Sequence, residues 1–315
     1  MSMTRAELQD AAAKAFDGDL SPDAAHSWNL IADMGWLMMA VPEDQGGLGL
    51  GREAVGVIHQ ALGRTLVAGP AITQMLVIEA LSAAGGQDEL LGRAMAGEVM
   101  SASLADGLTA VPDADRASHV LRIEAERISL LPTENVAIIA RTTWDQTRRL
   151  FDVDASDAVG IILAEGDAAK ALADRLSALR SVALAADCLG GADAALAMTI
   201  DYLETRRQFD RPLALFQALK HRVADMKTAL VAAEALFWAR AGEPATDAVT
   251  MGAMKAHVAG VYRLIAEDAI QLHGGIGLTM EHPCHLFLKR ATLNAALGGD
   301  CDHWDAAMGR RLIAA

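Results

Sequence analysis

The chain has 315 residues, with 27 Lys and Arg against 41 Asp and Glu and a net charge of −14. That balance excludes a sequence-independent grip on a phosphate backbone or an anionic lipid surface, so neither nucleic acid nor membrane is expected as a partner. Apolar residues reach 52%, yet the apolar runs are broken, as Glu234 breaks ALVAAEALFWA, and none approaches the roughly 20 residues of a membrane span. Cys188, Cys284 and Cys301 are odd in number without framework spacing, and MSMTRAELQDAAAKAF lacks a signal-peptide apolar region, which points to a reducing cytoplasm.

From Thr4 to about Gly97 apolar residues recur at helical spacing, and SPDAAHSW offers Ser21 as an N-cap with Pro22 at the first helical position. MGWLMMAVPEDQGGLGLG interrupts this pattern: a helix ends at Gly35, and the chain then turns through Pro42 and Gly46, Gly47, Gly49 and Gly51. The loop contains no basic residue and follows no βαβ pattern, which argues against a phosphate cradle. Between Ser101 and about Asp167 the runs SHVLRIEA, RISLLP and NVAIIAR, separated by VPDAD and LPTEN, predict a small β region of five or six strands. From about Ala168 the helical period returns in long Ala-rich stretches broken at QFDRPLALF, AGEPAT and LHGGIGLTMEHP. Four or so long helices with short loops predict an antiparallel bundle. The expected fold class is mainly α with a small β domain, divided into a helical domain at 1–98, a short β domain at 99–167 and a four-helix bundle at 168–315.

Two segments carry chemistry. In YLETRRQFDRPLALFQALKHRVADM, Arg206, Arg207 and Arg211 cluster beside Phe209 at a turn containing Pro212. Guanidinium forks bind the oxygens of an anion such as a pyrophosphate, although a solvated basic turn has the same composition. In DAIQLHGGIGLT, Gln271 is followed by Gly274, Gly275 and Gly277, which read either as a helix C-cap or as bare backbone that a ligand can approach closely.

With GWLMMAVPEDQGGLGLG, RRQFDRPLALFQALKHRVADM and QLHGGIGLTMEHP in this order and spacing, the chain resembles the acyl-CoA dehydrogenase family over nearly its whole length. The resemblance implies FAD, an N-terminal helical domain, a middle β domain and a C-terminal four-helix bundle. It assigns Arg206, Gln208 and Phe209 to the FAD pyrophosphate, Phe216 and Gln217 to the next contact, and Gln271, Gly274 and Gly275 to the adenosine end.

The family's base, a glutamate that abstracts the proton α to the thioester carbonyl, has no counterpart at its usual place. Aligned from Gln271, the family's Glu-Gly-Thr loop falls on Gly298, Gly299 and Asp300, so the base has become Gly298. Glycine accepts no proton. The alternative family position, twenty-six residues before Arg206, is Arg180, in helical register with Leu184, Cys188 and Gly191. The middle domain is also short, and SASLADGLTAV matches the family's flavin-holding signature poorly. In this family one chain holds the flavin ring and base while its neighbour supplies the arginine, phenylalanine and QxxGG contacts. The chain keeps the second set, so the resemblance implies a subunit completed by a full-length acyl-CoA dehydrogenase homologue. An α2β2 heterotetramer, a bulky, steroid-like acyl-CoA substrate and an electron-transfer flavoprotein as acceptor follow from the same resemblance.

Two rivals remain at this level: a homomeric flavoprotein whose base has moved to Asp300 or Glu281, and a flavin-free structural subunit. His282, Cys284, His285, Cys301 and His303 invite a zinc reading, but the spacing is no recognised ligand pattern and a long helix separates the halves, so no metal is expected.

Overall fold

The computed structural model describes residues 4–16, 20–156, 158–242 and 247–314. The helical period of the first third becomes α1 (Arg5–Ala15), α2 (Ala24–Asp33), α3 (Gly51–Arg64), α4 (Ala71–Ala84) and α5 (Asp88–Met95). Asp23, not Ser21, caps α2: its side chain accepts the His26 N–H at 2.8 Å. Ser21 instead takes a left-handed conformation with φ 53° and donates its N–H to the Thr65 carbonyl. Asp is as good a cap as Ser and stands directly beside the first helical residue. Gly35, at φ 69°, closes α2 as expected. At Gly47 an added Cβ would overlap the Val41 carbonyl, so the glycine loop is packed backbone, not an open cradle.

The β region holds β1 (Met100–Ala102), β2 (Val111–Pro112), β3 (His119–Ile123), β4 (Arg127–Pro132), β5 (Ala137–Arg141), β6 (Leu150–Asp154) and β7 (Ile161–Glu165). They form two small sheets, ordered β1-β3-β4-β7 and β2-β6-β5. The described residues thus hold more strands than the five or six expected, because the SASLADGLTAV region contributes to two short ones, β1 and β2.

The C-terminal part comprises α6 (Gly166–Thr205), a small hairpin of β8 (Arg207–Gln208) and β9 (Arg211–Pro212), α7 (Gln217–Ala241), α8 (Ala248–His273), α9 (Cys284–Ala296) and α10 (Cys301–Ala314). The break expected at AGEPAT falls largely on 243–246, outside the described residues. By length and mean hydropathy α6 does qualify as a membrane span, contrary to the expectation that no stretch would, but 72% of its most apolar window is buried inside the protein. It is the axis of the fold, packed on α3, α7, α8 and α9. Gly63 on α3 and Gly190 on α6 let two backbones touch, since a Cβ at either would fall inside the other helix's backbone.

One buried polar cluster joins the layers. Arg290 of α9 is fully buried; its Nε donates to Asp145 Oδ2 at 2.8 Å and its Nη1 to Asp187 Oδ1 at 3.1 Å. Its Nη2 donates to the Val67 carbonyl at 3.3 Å. Arg148 Nη2 pairs with Asp187 Oδ2 at 3.1 Å, and Asn294 Nδ2 donates to the same oxygen at 2.6 Å. The partners come from the α3–α4 loop, the β5–β6 loop, α6 and α9. Burial pushes the Asp187 carboxyl up, but Arg148 and Arg290 pull harder and leave it below the usual carboxylate range. His59 of α3 is buried near this cluster, and burial pushes its imidazole down to about 4 even though Nδ1 bonds the Val55 carbonyl at 3.0 Å.

Two outcomes follow for stability. Arg290→Met strips the buried Asp145 of its ion pair and takes one of two arginines from Asp187, and urea denaturation should show a loss of about 3 to 5 kcal/mol. His59 binds its proton more readily unfolded, at 6.5, than folded, at about 4. Its contribution is therefore complete above pH 6.5 and is lost as pH falls through 4, by about 3 kcal/mol in all. Urea midpoints measured from pH 7 to pH 4 should fall more steeply in the native chain than in His59→Gln.

Candidate functional site

The RRQFD segment is a hairpin built on the end of α6. Arg206 caps that helix, and β8 pairs with β9 through a tip of Phe209 and Asp210, at φ 52° and 62°. Two left-handed residues in succession make the tight turn that matches strand twist, here without the glycine that usually supplies it. Arg207 holds the turn by donating to the Asp210 carbonyl at 2.8 Å. Arg211 lies over the Phe216 ring at 3.9 Å, and Phe209 meets Phe216 edge to face at 6.0 Å. Phe209 itself is 85% exposed. Gln208 and Gln217, the latter opening α7, are also exposed. Arg206 is exposed, and its guanidinium has no hydrogen bond or ion pair among the described residues.

The second predicted segment lies at the same end of the bundle. Tyr202, one turn before Arg206, stacks on His273 of α8 with ring centroids 4.4 Å apart. Just beyond, Gln271, Gly274 and Gly275 are exposed, Gly274 has φ 66°, and a Cβ at either glycine would meet nothing within 4 Å. A free guanidinium, an exposed aromatic ring and an open glycine backbone fit the pyrophosphate and adenosine portions of FAD.

The two family base positions meet beside the first half of α6. A Cβ built on Gly298 would lie 3.6 Å from Arg180 Nε and 2.8 Å from Leu184 Cδ1. Gly298 has φ 69°, donates its N–H to the Leu104 carbonyl at 2.7 Å and accepts from Trp304 Nε1 at 3.0 Å. Lys255, fully buried, fastens the same loop by donating to the carbonyls of Ala295 at 3.1 Å and Gly299 at 2.9 Å. Burial brings its ammonium down to about 8, with Arg180 acting in the same direction. Burial likewise lowers the Arg180 guanidinium, opposed by Asp106. A glycine and a cation thus occupy the two base positions that the resemblance implies, with a second cation, Lys255, fastening the loop beside them.

Neither relocated base fits this place. Asp300 is exposed and caps α10, its Oδ1 accepting the His303 N–H at 2.9 Å. Glu281 precedes the 13-residue α9, whereas Gly298 follows it, which separates them by about 20 Å. Arg180 and Arg206 are twenty-six residues apart along α6, or about 39 Å.

The residues that invite a zinc reading are divided between the two ends of α9. Cys301 and His303 begin α10, beyond the far end of α9, while His282 and Cys284 come together with His273, one ligand atom from each lying within 4.8 Å of the others. His273 stands inside the QxxGG motif, where sequence shows no sign of its packing on Tyr202. Its Nδ1 bonds the Ala269 carbonyl at 2.7 Å, and His282 Nδ1 accepts from the Cys284 N–H at 3.3 Å.

Comparison with known proteins decides the family. The profile for the acyl-CoA dehydrogenase N-terminal domain matches residues 2–98, and that for the C-terminal domain matches residues 170–313. The chain belongs to the acyl-CoA dehydrogenase family. Its members are flavoprotein oxidoreductases acting on acyl-CoA, and FAD is the family's cofactor. Acyl-CoA dehydrogenase IpdE2 of Mycobacterium tuberculosis is 32% identical over 272 residues, covering 86% of this chain and 81% of its own. Among solved structures, a variant of the Tcur3481-Tcur3483 steroid ACAD superposes with a TM-score of 0.86 at 23% identity, covering 98% of this chain and 97% of that one. The ChsE4-ChsE5 complex from Mycobacterium tuberculosis gives 0.84 at 23%, covering 99% of each chain. At these identities the superpositions establish the acyl-CoA dehydrogenase fold.

The Gly298 geometry sets a cost on any side chain there. Gly298→Ala places a Cβ at positive φ and against Leu184, so thermal or urea unfolding should show a loss of about 1 to 3 kcal/mol. Gly85→Ala, also at positive φ but facing open space, separates the steric part from the backbone part.

Proposed function

We propose that this chain is one subunit of a heteromeric, FAD-dependent acyl-CoA dehydrogenase, completed by a different, full-length acyl-CoA dehydrogenase chain. Arg206, Gln208, Phe209, Phe216, Gln217, Gln271, Gly274 and Gly275 hold the pyrophosphate and adenosine of an FAD whose ring lies in the partner. The observation that carries this reading is the separation along α6: the free Arg206 end and the Arg180–Gly298 end, with no carboxylate in place of the base, are about 39 Å apart.

When bound in that complex, FAD would supply the acceptor for the hydride that leaves the substrate's β carbon. Arg206 neutralises pyrophosphate charge, the Gly274–Gly275 backbone allows close approach, and Phe209 covers the adjoining group from the solvent side. Proton abstraction α to the thioester falls to a glutamate of the partner, because Gly298 and Arg180 cannot accept one at neutral pH. Exposed Leu215, Val231, Leu264, Leu278 and Met280, all in the C-terminal part, supply apolar surface for the partner. Two copies of each chain, a bulky steroid-like acyl-CoA, electron transfer to an electron-transfer flavoprotein and a cytoplasmic setting complete the proposal. The partnership and the steroid class are supported by the resemblance to heteromeric and steroid-type relatives, and the cytoplasm by three free cysteines.

Co-purification with its partner should give one FAD for every pair of unlike chains; two FAD per pair would overturn the half-site assignment. In the same complex Arg206→Ala should weaken FAD binding by about 1.5 to 3 kcal/mol, read as flavin absorbance per protein, with no loss of thermal stability in the flavin-free chain.

A further inference from the structure

A cavity of about 220 Å³ lies beside Arg180, between α4, the β1–β2 loop, β3 and the first half of α6. Leu76, Leu121 and Leu176 give it an apolar wall, and Ser177 and Arg180, three residues apart on one face of α6, give it a polar one. The Ser177 hydroxyl has no hydrogen-bond partner among the described residues. Arg180 Nε is buried and unpartnered, and Arg180 Nη1 makes only a long bond, 3.4 Å, to the Ala105 carbonyl. No carboxylate lies within ion-pair distance of this guanidinium among the described residues, whereas the fully buried Arg290 has two. Asp106 lines the mouth of the cavity and is exposed. A largely buried guanidinium with no direct ion pair, and only the exposed Asp106 acting on it from a distance, is unfavourable. The cavity beside it has room for roughly seven waters, which is also the space of an organic molecule of about six heavy atoms.

We propose that this cavity binds a short-chain carboxylate. The ligand's carboxylate pairs with Arg180 and accepts from the Ser177 hydroxyl, and its alkyl part packs on Leu76, Leu121 and Leu176. The position where the family resemblance places a base is then an anion site, because a guanidinium stands there and a carboxylate ligand complements it. The apolar wall favours a short acid over inorganic phosphate or chloride, and the exposed Asp106 at the mouth opposes entry. The proposal stands on the Arg180 geometry alone and involves neither flavin nor partner chain, so it and the half-site reading fail by different measurements.

The test titrates sodium butyrate into the full chain as purified, followed by calorimetry and by the shift in melting temperature. Butyrate should bind saturably at millimolar concentration, while butyramide, of the same shape without the charge, should not. Arg180→Gln should weaken butyrate at least tenfold, Arg180→Lys should retain part of the affinity, and Asp106→Asn should strengthen it severalfold by removing the like charge. Should Arg180→Gln fail to fold, the Lys and Asn variants still decide, since both keep a cation in the cavity. Failure of the folded wild type to bind butyrate, equal binding of butyramide, or unchanged affinity in a folded Arg180→Gln would each overturn the assignment.

Discussion

Arg290 sits where four segments of the chain meet, and the rest of the architecture depends on its being satisfied there. Its donors are divided among a carboxylate from the β5–β6 loop, a carboxylate from α6 and a carbonyl from the α3–α4 loop. Removing any of these segments leaves a buried charge, so the helical layer, the small sheets and the bundle share one electrostatic requirement. The requirement is also directional: a planar fork accepts partners only in its own plane, which fixes angle as well as distance. Close backbone contact at Gly63 and Gly190 serves the same end, bringing α3 near enough to α6 for the loop after it to reach the guanidinium.

The bundle has two ends with different chemistry. One presents a guanidinium without a partner, bare glycine backbone and an exposed phenylalanine, features that cost little in solvent and gain when a polyanion arrives. The other is closed, with Gly298 held by Leu104 and Trp304 and the following residue held by Lys255. A loop tied at three points does not swing a neighbouring side chain inward, and Asp300 is further committed to capping α10. The division of labour between this chain and a partner is therefore expressed in rigidity as much as in residue identity.

Much of this was legible in the sequence where the signal is local. Helical spacing located the N-terminal helices and the long C-terminal ones, β-branched runs located β3, β4 and β5, and the arginine cluster marked the hairpin. Capping was misassigned because Ser21 and Asp23 are both competent caps and only the fold selects between them. The Arg290 cluster was invisible for a physical reason: Arg290 is more than a hundred residues from either carboxylate, and it reads locally as one more cation on a basic amphipathic helix. A signal did exist in Asp187, a lone carboxylate within the apolar run ALAADCLGG, which announces a buried counter-charge without naming it. The meeting of Arg180 with Gly298 required two separate alignment positions to be brought together by folding.

The forty residues of α6 run without a break from the sheets to the RRQFD hairpin, and the helix carries Arg180, Asp187, Tyr202 and Arg206 in one rigid register. Each residue along it advances about 1.5 Å and turns about 100°. A single inserted or deleted residue between Asp187 and Tyr202 would leave the Arg290 cluster in place while rotating the aromatic stack and hairpin to another face of the bundle. The helix thus works as a ruler with a phase. Point substitutions along its solvent side can accumulate freely, but its length in this interval cannot drift, and lineages of this chain should vary in loops and at the termini while conserving that count.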